Sequence, residues 1–281
     1  LRSSPPNALF WAYFFGVLWG IGGLTYGLTM RYLGMALGVA VALGFCAVFG
    51  TLMPPLFGGT FGELLATSAG LTILAGVGVC LLGILICGLA GHRKDRELAA
   101  GGGQNGVSEF ALGKGLGMAT IAGILSSCFA YGLAAAKPIA DISVHMGTES
   151  LYANNAGLVV ILLGGLTTNV FWCLLLNVRN KTYSDYKSGP ALNYVLCALG
   201  GIIWYHQFFF YGMGMTKMGD KYEFSSWSLH MAFIIVFSNL WGMYFKEWKG
   251  AGRKTLSLVW LGLAVLVLST IIIGYANRVA H

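Results

Sequence analysis

WGIGGLTYGLTMRYLG, Trp19 to Gly34, closes an apolar run that extends from about Leu9 to Met30. A run of roughly 20 apolar residues crosses the ~30 Å hydrocarbon core of a bilayer as an α-helix. Its glycines, Gly16, Gly20, Gly23 and Gly27, follow a 4-3-4 spacing that places all four on one helix face. Helices in lipid have no hydrophobic drive toward one another, so small residues that admit a second backbone are the main means of association. Trp19 and Tyr26 lie along the neighbouring stripe, with Thr29 further round. That aromatic, hydroxyl-bearing face has two readings. It marks depth in the bilayer, or it forms the wall of a solute site.

Composition extends the first reading to the whole chain. Of 281 residues, 57% are hydrophobic and only 10% charged, against about 25% charged in soluble domains. The expected class is an all-α, polytopic membrane protein. The 42 glycines suit closely packed membrane helices. The six cysteines sit in apolar runs without CxxC spacing or a neighbouring histidine, so they read as small packing residues rather than a metal or redox set. No metal or cofactor is expected. The net charge of +7 needs no nucleic-acid partner, because membrane proteins retain basic residues in their cytoplasmic loops.

Eight apolar segments of spanning length are expected: Leu9 to Met30, Met35 to Phe57, Ala69 to Ala90, Leu112 to Ala136, Tyr152 to Val178, Ala191 to Met215, Ser226 to Phe245 and Leu256 to Asn277. Pro54-Pro55 and Pro138 are expected stops for the second and fourth. The long polar insertion, Gly91 to Ala111, reads as a cytoplasmic linker that divides residues 1–90, three helices, from residues 112–281, five helices. Lys and Arg concentrate in alternate loops: Arg31; Arg93, Lys94 and Arg96; Arg179, Lys181 and Lys187; Lys246, Lys249, Arg253 and Lys254. Assigning those loops to the cytoplasm places both ends of this chain on the other side.

All ten carboxylates fall in loops or at span ends. Coupling through a carboxylate at the bilayer centre is therefore not indicated, and the proton-handling candidates are His230, Lys137 and Glu223. His230 shares one side of its span with Ser226 and Trp227. Lys137 ends the fourth span, where snorkelling and the helix dipole explain it equally well. The richest polar stretch is WYHQFFFY, Trp204 to Tyr211, in which Gly200, Trp204, Gln207 and Tyr211 share a face opposite His206. Flat rings lie against sugar C–H surfaces while amide, indole and phenol groups exchange hydrogen bonds with hydroxyls. Asn169 adds an amide in the fifth span, where an interhelical bond would account for it as well. No acid pair, His-rich motif or Ser-His-Asp set points to an enzyme.

Five stretches, WGIGGLTYGLTMRYLG, AAAKP (Ala134 to Pro138), WYHQFFFY, SSWSLHM (Ser225 to Met231) and KEWKGAGRK (Lys246 to Lys254), together resemble the bacterial L-rhamnose–proton symporter family of the drug/metabolite transporter superfamily. The resemblance runs in order over nearly the whole chain. It implies a ten-helix carrier of two five-helix inverted repeats, in which the eight spans here would be the third to tenth and the first two would be absent. It implies uptake of L-rhamnose with protons, by alternating access, across the bacterial inner membrane. Two positions depart from the family pattern: Gly23 stands where its motif reads WGIGN, and His206 where it has Leu. The sugar-contact candidates, taken from helix geometry, are Trp19, Tyr26, Thr29, Asn169, Trp204, Gln207, Tyr211 and Trp227. A carrier for a different small solute and a non-transporting membrane sugar sensor stay open as alternatives.

Overall fold

In the computed structural model the described residues are 1–100, 111–218 and 223–279. Among them every regular element is helical, and seven helices are long and apolar enough to cross a membrane. The chain begins with α1 (Pro6–Leu33), α2 (Met35–Phe57), the short α3 (Phe61–Ala66) and α4 (Ser68–Ala100). It continues with α5 (Leu112–Ala135), α6 (Lys137–His145), α7 (Asn155–Asn180) and the single turn α8 (Asp185–Ser188). It ends with α9 (Ala191–Met215), α10 (Ser226–Tyr244) and α11 (Arg253–Val279). The expected span from Ser226 to Phe245 is α10, a 19-residue helix outside that set of seven. Its serines, His230, Asn239 and tryptophans lower its apolarity.

Local chemistry sets several boundaries. Gly34 joins α1 to α2 at φ 83°, a left-handed conformation that favours glycine. Pro54 and Pro55 lie inside the last turn of α2 instead of ending it, and the helix stops at Phe57. Pro138 also departs from expectation, because α5 ends at Ala135 and α6 restarts at Lys137 with the proline in its first turn. A missing N–H costs nothing there. The expected linker begins as helix, since α4 continues through Ala100. Arg93 and Glu97, one turn apart and joined at 3.1 Å, support that extension. Residues 101–110 of the linker, and the loop positions Asp220 and Lys221, lie outside the described residues.

The chain packs as two compact units, each described in turn. The first comprises residues 1–21 and 131–218. Its centre is backbone contact between α1 and α7. A Cβ on Gly16 would overlap the carbonyl of Ile161, and one on Gly164 would overlap that of Tyr13. Around this contact, Thr168 donates to the Val17 carbonyl at 3.0 Å and Tyr13 to the Thr167 hydroxyl at 2.9 Å. At the other edge of α7, the Asn154 amide donates to the Gly212 carbonyl of α9 at 3.0 Å.

The second unit comprises residues 22–130 and 219–281. Here α4 lies along α11, with Leu266 set over Gly83 and Cys87 over Gly262. Side chains at those glycines would overpack the seam, at a typical cost of about 1–3 kcal/mol. Glu97 fixes one end of the seam by accepting from the Gly252 N–H and the Thr255 hydroxyl, both at 2.7 Å, at the start of α11. The KEWKGAGRK loop is held to α4 as well, with Lys94 over the Trp248 ring at 4.9 Å. The expected glycine face of α1 is used only in part. Gly16 and Gly20 pack on α7, whereas a Cβ at Gly23 or Gly27 would meet nothing within 4 Å. In the second unit α1 packs instead through Gly22, against Leu125 and Ser126 of α5.

Candidate functional site

The expected sugar-contact residues divide between the two units. In the first, α1 supplies Trp19 and α9 supplies Trp204, and the rings stack with centroids 5.8 Å apart and planes 14° from parallel. Phe208 meets both edge-on, at 5.7 and 4.9 Å. Gly165 of α7 gives Trp19 its seat, since a Cβ there would come within 2.6 Å of the ring. Trp204 remains 48% exposed, so the stack presents an open aromatic face. Gln207 and Tyr211, both half-buried, follow on the same stripe of α9 one and two turns on. Asn169 is exposed on α7 and donates to the Gly165 carbonyl at 2.8 Å.

This set can do what a neutral sugar requires. Stacked indoles take the apolar face of a pyranose, and an amide and a phenol exchange hydrogen bonds with its hydroxyls. Phe208 was absent from the sequence reading although it lies within WYHQFFFY. Its spacing of four from Trp204 was the available signal.

In the second unit the candidates are more enclosed. Trp227 is 3% exposed, and its indole N–H donates to the Cys46 carbonyl at 3.0 Å. Phe129 stacks on it at 5.7 Å, and Gly50 leaves space for the ring. Beside it, Ser228 and Thr51 share a buried hydrogen bond of 2.7 Å. Thr29 is fully buried, with its hydroxyl directed to the Thr25 carbonyl at 3.4 Å. Tyr26 packs on the cluster of Leu33, Ala42 and Ala119. Direct sugar contact by Trp227 or Thr29 would require these internal bonds to open.

Of the proton-handling candidates, His230 sits one turn after Trp227 on α10, with ring centroids 5.6 Å apart, and is half-buried. Glu223 opens the short 3-10 turn before α10 and is also half-buried. Lys137 belongs to the first unit, exposed at the start of α6.

A family model described as L-rhamnose-proton symport protein (RhaT) matches residues 6–278. The L-rhamnose-proton symporter of Cronobacter sakazakii (strain ATCC BAA-894) is 38% identical over 279 residues, covering 97% of this chain and 79% of that protein. The L-rhamnose-proton symporter of Klebsiella pneumoniae (strain 342) is also 38% identical, covering 97% of this chain and 80% of that protein. That of Citrobacter koseri (strain ATCC BAA-895 / CDC 4225-83 / SGSC4696) is 38% identical over 284 residues, covering 94% and 81%. No solved structure matches the chain.

Proposed function

The chain belongs to the L-rhamnose-proton symport protein family, and from that premise we propose that it carries L-rhamnose together with protons across the bacterial inner membrane. It is a multi-pass transporter and not an enzyme. The observation that supports the sugar site best is the Trp19–Trp204 stack, half-open and flanked by Gln207. L-Rhamnose is a 6-deoxyhexose, so one end of the ring is a methyl group suited to an aromatic surface, while its hydroxyls need neutral donors and acceptors. Trp19, Trp204, Gln207, Tyr211 and Asn169, all of the first unit, are the sugar contacts in this reading. Tyr26, Thr29 and Trp227 are further candidates in the second unit, where contact by Thr29 or Trp227 requires their internal hydrogen bonds to open.

His230 is the preferred proton-handling group, because histidine titrates near neutrality and carries charge without a buried carboxylate. Lys137 and Glu223 are the other candidates. The eight-span reading counts α10 as the seventh span, on a ten-helix inverted-repeat plan with repeats meeting at the 91–111 linker. Both ends of the chain lie on the non-cytoplasmic side in this reading, which rests on the Lys and Arg distribution.

Adding L-rhamnose to de-energised cells that express the protein should alkalinise a lightly buffered medium as protons enter with sugar. The His230→Gln variant should retain rhamnose entry while losing that proton signal. Rhamnose entry with no alkalinisation in the wild type would refute symport. A carrier for a different small solute is the second reading, favoured by the open space at Gly23, where the resemblance implies an asparagine. A panel of unlabelled sugars competing with labelled rhamnose separates the two.

A further inference from the structure

The stripe that carries Tyr211, Gln207, Trp204 and Gly200 does not stop there. At the same 4-3-4 alternation it reaches Cys197 and Asn193, at the opposite end of α9. From Asn193 to Tyr211 the stripe is about 27 Å long at 1.5 Å per residue. Its far end opens into a cleft of about 350 Å³ within the first unit, lined by Asn177, Thr182, Asp185, Tyr186, Asn193 and Cys197 among others. The charged turn that carries Arg179, Lys181, Asp185 and Lys187 marks this as a water-facing end of α7 and α9.

The cleft is held open by its own hydrogen bonds. Thr182 donates to the Asn177 Oδ1 at 2.8 Å, the Asn177 Nδ2 donates to the Tyr186 hydroxyl at 3.1 Å, and the Tyr194 hydroxyl donates to the Tyr186 carbonyl. These bonds fix the wall and leave other groups for a ligand. Among the described residues, Asn193 makes no side-chain hydrogen bond and the Asp185 carboxylate accepts only a long bond of 3.4 Å from Ser184. Two exposed rings, Tyr186 and Tyr194, stand beside them.

The chemistry selects a ligand class. A lone carboxylate beside amide and phenol groups disfavours an anion. A cation would find one carboxylate here, in a turn that already holds Lys181 and Lys187. Neutral donors and acceptors next to flat rings fit a polyhydroxylated neutral molecule. We propose that this cleft is a second binding site for a neutral monosaccharide, a vestibule that sugar reaches from the Trp19–Trp204 stack along the α9 stripe on its way to the cytoplasm. The proposal rests on the sugar-carrier reading and adds a second place of occupancy to it.

Cys197 lines the cleft and is exposed, while Cys46, Cys80, Cys87 and Cys128 are buried. In a Cys173→Ser background a maleimide therefore reports on Cys197. Labelling is measured in membranes with and without L-rhamnose, alongside uptake in the same preparation. Rhamnose should slow labelling several-fold. The protection should persist in Gln207→Ala and vanish in Asn193→Ala, a variant that breaks no internal hydrogen bond. Asn177→Ala should abolish it too. Uptake with no protection overturns the vestibule, as does protection that survives Asn193→Ala but is lost in Gln207→Ala. Protection without uptake upholds the cleft and overturns the carrier reading; absence of both overturns both.

Discussion

Trp204 and Trp227 are the same residue put to opposite uses in the two units. Trp204 is 48% exposed and leans on another indole, so one of its faces stays available. Trp227 is 3% exposed, its N–H is bonded to the Cys46 carbonyl, and Phe129 covers it. The difference comes from what stands opposite. Gly50 on α2 clears room for the Trp227 ring within a helix interface, whereas Trp204 meets the Trp19 ring and, beside it, Phe208. On these helices a tryptophan is framework where its N–H and its ring face both find partners, and surface where one face stays exposed.

The sharpest way to break this contrast is to remove each ring. Trp227→Ala should cost about 3–5 kcal/mol of fold stability by opening a cavity in packed core. Loss of monodisperse protein in detergent, read by size-exclusion chromatography, checks it. Trp204→Ala should leave the melting temperature nearly unchanged and lower rhamnose uptake on the order of tenfold, with Trp204→Phe intermediate. Were both variants to fold equally well, the contrast between framework and surface would fall.

A smaller effect sharpens the same comparison. Gln207→Ala should raise the half-saturation for rhamnose by roughly three- to tenfold, the loss of one hydrogen bond to a hydroxyl, with maximal rate preserved. An unchanged half-saturation would mean that this face of α9 packs against protein. The smallest expected effect is at Glu97, which is partly exposed. Glu97→Gln keeps an acceptor for Gly252 and Thr255 but weakens the charge-assisted bonds, so it should lower the melting temperature slightly and leave half-saturation unaltered.

These contrasts also mark what could be read from the chain itself. Long apolar runs gave the helices, because spanning length and low charge leave few other solutions in lipid. The WYHQFFFY face was readable because helical spacing alone puts Trp204, Gln207 and Tyr211 in line. Spacing says which residues share a face, but not what meets that face. The stack of Trp19 on Trp204 joins positions 19 and 204 through the seat at Gly165, and the enclosure of Trp227 depends on Gly50 and Cys46. Neither pairing has a local signature. The same limit applies to α1, where the 4-3-4 glycines were evident but the use of Gly22 in place of Gly23 depends on α5. The extension of α4 past Gly91 was obscured by its charge, although Arg93 and Glu97 at one-turn spacing were a helix signal.

The measurement that bears most directly on the central claim is accumulation of labelled L-rhamnose by membrane vesicles under an imposed inward proton gradient, with wild type and Trp204→Ala compared at equal protein. Wild type should concentrate the sugar until a protonophore collapses the gradient, and Trp204→Ala, though present and folded, should accumulate far less. Equal accumulation by the two proteins would contradict sugar binding at the Trp19–Trp204 stack, and none by the wild type would contradict symport.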